Sequence, residues 1–146
     1  MNNFVKYLLV LVCLLVLNYC CGVVDPNENK KEPDVSKLIF GDTLNITYKD
    51  TLHNYEEDIW ITFDSLVSDS RCPMDVFCFW EGNAEIGFIF GNYGEELDFR
   101  LNTHPDFKKE ATICLYKIIL VNVAPYPRSD TLYTPDSYSV QIVVKK

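Results

Sequence analysis

The sequence predicts an all-β fold, an antiparallel β-sandwich of six to seven strands that is either immunoglobulin-like or a small open barrel. Two observations favour this class: apolar residues recur at every second position from Lys37 onward, and turn-forming residues separate these runs. Helical periodicity of useful length is missing from the sequence. A chain of 146 residues, of which 48% are hydrophobic and 23% charged, suits one globular domain.

Each predicted strand has one apolar face. Alternation marks residues 44–48, 59–63, 84–90, 97–101 and 138–144. Residues 111–123 are apolar on nearly both faces, which is typical of a central strand covered on each side, so we expect Cys114 to be buried there. Turns are predicted at residues 48–58, 91–94, 102–107 and 124–130.

The first 36 residues differ from the rest. Lys6 precedes an uncharged, mostly apolar run that ends near Cys20 and Cys21, which predicts a secretory signal over residues 1–20. Residues 21–36 hold prolines and charges and predict a flexible tether, and residues 37–146 form the predicted β-sandwich domain. A transmembrane helix is the competing interpretation, but the run is at the short limit of the about 17 to 25 residues needed.

The end of the signal resembles the lipobox of bacterial lipoproteins. Cys21 follows a small residue and is the predicted lipid-carrying first residue of the mature chain, and Cys20 is the alternative. Acyl chains such as palmitate would then anchor the protein to a membrane of the bacterial cell envelope, at the outer membrane or in the periplasm. An ordinary secreted protein whose signal contains cysteines is the other interpretation.

Composition limits the partners. The formal net charge is −8, which disfavours nucleic acid because phosphates need clustered lysine and arginine. Neither a cofactor nor a metal is predicted: the soft ligands are Cys72, Cys78, Cys114 and His104, and their spacing does not match a structural zinc site. The sequence indicates no particular oligomeric state.

Residues 69–88, "DSRCPMDVFCFWEGNAEIGF", contain the most distinctive pattern of the chain. In an oxidising compartment Cys72 and Cys78 are expected to form a disulfide, worth roughly 2 kcal/mol. The predicted binding loop consists of Arg71, Met74, Asp75, Phe77, Phe79 and Trp80. Aromatic side chains on a stiff loop can stack on a glycan or anchor a protein. The alternative, which we favour, is that they fold back as a lid over the core.

The sequence offers little for catalysis. His53 and His104 lie in predicted polar turns, away from any nucleophile motif, and are expected to be solvated. Two of the acids could supply a glycosidase-like pair, with candidates at Asp64, Asp69, Asp75, Glu81 and Glu85. Because the chain has 21 acidic residues, such a pair is weakly specific, and we predict no enzymatic activity.

The pattern resembles small uncharacterised bacterial lipoproteins that share an Asp-Ser-Arg-Cys-Pro, Cys, Trp, Gly, Ala motif. The matching residues are Asp69, Arg71, Cys72, Pro73, Cys78, Trp80, Gly82 and Ala84, followed by Pro125, Tyr126 and Pro127. The resemblance implies a lipidated, exported all-β domain and supplies no activity. We expect Arg71 to pair with Asp69 or Glu81, and Gly82 to give backbone freedom where loop becomes strand.

Four Asp-Ser/Thr-aliphatic segments resemble the sequon of a periplasmic O-glycosylation system. Their acceptors would be Thr43, Thr51, Ser65 and Thr131. Aspartate followed by serine or threonine is also ordinary turn chemistry, which stays open as the alternative.

The predicted function is that of a non-catalytic exported lipoprotein that binds a protein or glycan at the envelope. The first alternative is a protease inhibitor whose Cys72 to Cys78 loop presents Met74 or Asp75, and the second is a carboxylate-dependent hydrolase. An exposed aromatic shelf would favour binding, an extended outward-facing ring would favour the inhibitor, and two carboxylates facing each other across a cleft would favour the hydrolase.

Overall fold

A computed structural model describes residues 37–146 and shows two antiparallel sheets of four strands each. The strands are β1 Thr43–Thr47, β2 Thr51–Asn54, β3 Ile59–Asp69, β4 Ala84–Asn92, β5 Glu95–Asn102, β6 Glu110–Ile113, β7 Tyr116–Ala124 and β8 Ser139–Lys145. A short 3-10 helix, Pro135–Ser137, precedes β8. The strand orders are β1-β8-β7-β6 and β2-β3-β4-β5. The predicted β-sandwich is confirmed.

The sandwich has eight strands because two segments differ from the predicted pattern. Polar residues in 48–58 predicted a turn, yet part of this segment forms β2, where Leu52 and Asn54 point inward opposite Ile61 and Ile59. The polar side chain of Asn54 is buried because its Nδ2 donates to the Leu38 carbonyl at 3.1 Å.

The apolar stretch 111–123 is two strands rather than one central strand. Cys114, at φ 52°, and Leu115 form the turn between β6 and β7. The prediction that Cys114 is buried is therefore wrong, since its thiol is exposed. A run that is apolar on both faces gives no indication of where a two-residue turn interrupts it.

The core lies between the two sheets and is filled from alternate positions of both. Phe63, Phe88 and Phe90 contribute the largest buried side chains of one sheet, and Ile118 and Ile142 belong to the other. Among residues 37–146, no helix is both long and apolar enough to cross a membrane.

The strands place their connections at two ends of the sandwich. The loops of residues 70–83, 103–109 and 125–138 lie at the end where β3 finishes. At the opposite end are the turns of residues 55–58, 93–94 and 114–115, together with Lys37, which bridges His53, and Lys146, whose Nζ pairs with Glu57 Oε1 at 2.6 Å. Strand β3 has 11 residues, so the two ends are about 33 Å apart at 3.3 Å per residue.

Candidate functional site

The loop between β3 and β4 contains the predicted disulfide. Cys72 and Cys78 are bonded, with their Cα atoms 6.0 Å apart. The amide of Cys72 donates to the Glu81 carbonyl at 2.9 Å, and the amide of Val76 donates to the Pro73 carbonyl at 3.3 Å. The ring therefore contains a turn rather than an extended segment. We call residues 70–83 the braced loop.

Arg71 anchors the braced loop to both sheets. Its side chain is 5% exposed, and its guanidinium pairs bidentately with Asp69, Nε to Oδ1 at 2.9 Å and Nη2 to Oδ2 at 2.6 Å. It also donates to the carbonyls of Val123 at 2.6 Å and Pro125 at 2.8 Å. Because β3 and β7 belong to different sheets, these bonds join the two layers. The predicted pairing of Arg71 with Asp69 is confirmed.

The same carboxylate binds Tyr138, which precedes β8. The Tyr138 hydroxyl donates to Asp69 Oδ2 at 3.0 Å, and the residue is 5% exposed. Burial of the phenol, followed by the charge of Asp69, raises the pKa of Tyr138 to about 12. Tyr126 covers Arg71, with the guanidinium Cζ 4.9 Å from the ring centroid. The base of the braced loop is thus a paired and closed polar network.

The tip of the ring is fixed to the segment after β7. The amide of Met74 donates to the Pro127 carbonyl at 3.0 Å, and the Asp75 carboxylate accepts from the Ser129 amide at 2.9 Å and from the Ser129 hydroxyl. These two bonds hold the pKa of Asp75 below its usual range. Met74 and Asp75 are therefore tied to a neighbouring loop of the same domain.

Phe77, Phe79 and Trp80 form an exposed aromatic shelf beside the ring. Phe77 and Phe79 are fully exposed, and Trp80 is 48% exposed. The prediction that these side chains fold back as a lid is wrong. The physical reason is that the Arg71 network already closes this end of the core, and the bonds at the ring tip hold the braced loop beside that network.

His104, in the loop between β5 and β6, packs against Trp80 of the aromatic shelf. It is buried, and its ring centroid lies 4.3 Å from that of Trp80 and 5.8 Å from that of Phe107. Nδ1 accepts a hydrogen bond from the Asp106 amide at 3.2 Å, so the neutral ring carries its hydrogen on Nε2, which lies 3.2 Å from Glu81 Oε1. The prediction of a solvated His104 is wrong.

Asn83 holds the two loops together. Its Oδ1 accepts from the amides of Thr103 at 3.2 Å and His104 at 3.1 Å. Beside it, Gly82 has a φ of 77°, and a Cβ at this position would lie 2.0 Å from the Ser70 carbonyl oxygen. A glycine is required here, which confirms the backbone freedom predicted for Gly82.

A groove of about 630 Å³ lies between the braced loop and the His104 loop, and we call it the aromatic groove. The aromatic shelf, the disulfide and His104 line it, together with Pro105 and two carboxylates, those of Glu81 and Asp106. The side chains of Glu81 and Asp106 are 74% and 79% exposed, so both carboxylates face solvent. Among the described residues, no lysine or arginine lines the aromatic groove.

The acids considered for catalysis bind separate partners. Asp64 accepts from Lys49 Nζ at 2.8 Å, which lowers the pKa of Asp64, and Glu85 pairs with Arg100 at 3.4 Å. The other three acids, Asp69, Asp75 and Glu81, are held by Arg71, Ser129 and His104. Within residues 37–146 there is no group of three or more histidine, cysteine or acidic side chains placed to hold a metal ion.

The glycosylation candidates are scattered over the domain. Thr43 and Thr131 are exposed, whereas the Thr51 hydroxyl shares a 2.7 Å hydrogen bond with Thr62 and Ser65 is half-buried. The predicted lipidation at Cys21 or Cys20, the signal of residues 1–20 and the tether of residues 21–36 lie outside the described residues.

Comparisons with protein-family models, with curated proteins and with solved structures gave no match for the chain. The resemblance to small lipoproteins therefore stays a prediction. What the site can do chemically is inferred from its residues and geometry.

Proposed function

We propose that this protein is a non-catalytic exported lipoprotein that binds a partner at the bacterial cell envelope through the aromatic groove. The observation that carries the proposal is the full exposure of Phe77 and Phe79 on a loop that a disulfide and several hydrogen bonds hold in place. Contiguous exposed apolar surface marks interaction sites. Covering each phenylalanine would return about 2 kcal/mol of burial free energy, which favours a bound state.

Rigidity supports the same function. The base of the braced loop is fixed by Arg71 and its tip by Ser129, so a partner would not have to order the loop when it binds. Ordering flexible groups at an interface costs about 0.5 to 1.5 kcal/mol for each side chain, and a fixed loop avoids part of that cost. A loop that served only to connect β3 and β4 would not need exposed aromatic residues.

The ring geometry supports binding over protease inhibition. An inhibitor would present Met74 or Asp75 in an extended, outward-facing segment, whereas Met74 and Asp75 lie in a turn and are bonded to Pro127 and Ser129. Within the ring, Phe77 is fully exposed, whereas the bait residue Met74 is 61% exposed. Binding through an aromatic shelf is therefore the function that the geometry supports best.

The envelope location rests on the first 36 residues. An apolar run after Lys6 is typical of a secretory signal, and the resemblance of its end to a lipobox supports a lipid at Cys21, with Cys20 as the alternative. The disulfide between Cys72 and Cys78 supports export as well, because such bonds persist in oxidising compartments.

Photo-crosslinking in living cells tests the binding proposal. A photoreactive phenylalanine analogue at Phe77 or Phe79 is expected to give a discrete crosslinked product on illumination. The matched control carries the same analogue at Tyr93, an exposed aromatic residue in the turn at the opposite end of the sandwich. Equal crosslinking from both ends, or none from Phe77 and Phe79, would contradict a binding role for the aromatic groove.

A further inference from the structure

We infer that the aromatic groove takes a cationic side chain, an arginine or lysine from an extended segment of a partner protein. This inference rests on the proposed binding function of the groove and adds the chemical class of its occupant. It comes from the two solvent-facing carboxylates, Glu81 and Asp106, which line the groove among aromatic side chains and form no ion pair with a lysine or arginine of residues 37–146.

The charge of the groove is uncompensated. In the described part of the chain, Glu81 and Asp106 form no ion pair with a lysine or arginine, and they lie 3.2 Å and 3.8 Å from the His104 ring nitrogens. Arg71 lines a neighbouring pocket with Glu81, but its guanidinium is paired with Asp69. That imidazole accepts at Nδ1 from a backbone amide and faces Glu81 with Nε2, the pattern of a neutral ring that donates one hydrogen bond. Two negative charges therefore remain at the groove, on a chain whose formal net charge is −8.

The aromatic rings favour the same occupant. A cation within about 6 Å of a ring centroid is attracted by the ring's quadrupole, with tryptophan the strongest of the three aromatic types. Trp80 has one side against His104 and remains 48% exposed. A guanidinium can lie flat on such a ring and at the same time bond a carboxylate through its planar fork. Glu81 is adjacent to Trp80 in the chain, which places both kinds of contact in one groove.

The size of the groove argues for a segment rather than a single ion. The groove is a shallow, solvent-open depression of about 630 Å³, much larger than one ion, so it suits a segment that lies along the surface. The fully exposed Phe77 and Phe79 would contact apolar side chains that flank the cation. An anionic lipid surface is disfavoured by the two carboxylates, and a neutral glycan would leave both charges unpaired.

Peptide binding to the full chain tests the inference directly. The probes are three peptides of alternating leucine and a second residue, which is arginine, its neutral isostere citrulline, or glutamate. The arginine peptide is expected to bind with an affinity that falls as salt rises, the citrulline peptide at least about tenfold more weakly, and the glutamate peptide not at all. Equal affinity of the arginine and citrulline peptides, or no binding of the arginine peptide, would overturn the inference.

Variants locate the site. Glu81→Gln with Asp106→Asn is expected to weaken the arginine peptide at least about tenfold. Glu95→Gln with Glu96→Gln removes the same charge from the start of β5, at the opposite end, and is expected to change the affinity less than about twofold. An equal loss in both pairs would point to net charge alone and would overturn the inference.

Failure of this inference is distinguishable from failure of the proposed function. If the analogue at Phe77 or Phe79 crosslinks equally well with and without the Glu81→Gln and Asp106→Asn substitutions, the groove binds a partner but not through a cation. Preferential binding of a chito-oligosaccharide, or of vesicles of anionic phospholipid, over the arginine peptide would likewise overturn the cationic occupant. Absence of crosslinking from the analogue at Phe77 and Phe79 when Glu81 and Asp106 are intact would instead count against the proposed function itself.

Discussion

Arg71 connects parts of the chain that are far apart in sequence. Its guanidinium bonds carbonyls 52 and 54 residues away, at Val123 and Pro125, while pairing with Asp69 two residues before it. A buried arginine whose donors are satisfied in this way is costly to alter, because removing the guanidinium leaves the Asp69 carboxylate without its cation and takes a hydrogen-bond donor from the Val123 and Pro125 carbonyls. We expect the stability of the whole site to depend on this residue.

Replacing Arg71 tests that dependence. Arg71→Lys keeps the charge but loses the planar fork, so the free energy of unfolding in urea should fall by about 2 to 3 kcal/mol. Arg100→Lys is the matched control, since Arg100 is exposed and makes a single 3.4 Å contact with Glu85; its effect should stay within about 0.5 kcal/mol. Equal stability of Arg71→Lys and the wild type would contradict a structural role for the fork.

Tyr138 gives the domain a pH dependence at alkaline pH. Its pKa is raised from 10.0 to about 12, so the folded state holds the proton more tightly than the unfolded state. The stabilisation is complete below the unfolded pKa and is lost as pH rises from about 10 through about 12, by at most about 3 kcal/mol in total. Tyr138→Phe lacks this proton, so its stability deficit relative to wild type should shrink between about pH 10 and pH 12 in urea unfolding. A deficit that stays constant across this interval would contradict the assignment.

At the scale of elements, the strands follow from local pattern and the site does not. Alternating burial along β3 and β8 reproduces the apolar periodicity of the sequence, because one face of each strand meets the core. Local pattern could not predict that His104 lies in the aromatic groove. Its position depends on a hydrogen bond from its amide to the side-chain Oδ1 of Asn83, which is 21 residues earlier in the chain. The one local signal is the "NTHPDF" segment, in which proline and aspartate follow the histidine and indicate a tight turn.

Gly82 marks the junction between the braced loop and β4, and two alanine substitutions test its role. Gly82 and Gly94 both have positive φ, at 77° and 83°, but a Cβ at Gly82 meets the Ser70 carbonyl oxygen whereas nothing lies within 4 Å at Gly94. Gly94→Ala should cost about 1 kcal/mol for the backbone conformation alone, and Gly82→Ala clearly more, at least about 2 kcal/mol. Thermal or urea unfolding measures both. Equal costs would show that the close approach to Ser70 does not constrain the loop.

For the molecule as a whole, the sequence predicts the fold class and the disulfide but not the number of strands or the direction of the aromatic side chains. The apolar periodicity and the cysteine spacing are local properties of the sequence, so they predict the strands and the disulfide directly. Whether Phe77 covers the core or faces solvent depends on what else fills that end of the sandwich, which here is the network around Arg71. Which of two groups that are distant in sequence covers this end of the core cannot be predicted from a local sequence pattern.

Lipid attachment can be tested on the intact protein. Growth with an alkyne analogue of palmitate should label the wild-type chain and the Cys20→Ser variant, whereas Cys21→Ser should lose the label and move from the membrane to the soluble fraction. Labelling that survives in Cys21→Ser but not in Cys20→Ser would assign the lipid to the alternative cysteine. Labelling of neither protein would contradict the lipoprotein proposal.

Both termini of the described domain lie at one pole, with Lys37 beside His53 and Lys146 beside Glu57, and the aromatic groove lies at the other, about 33 Å away along β3. A domain anchored through Cys21 would be attached at the pole of its termini. The groove would then be the part of the domain farthest from its point of attachment.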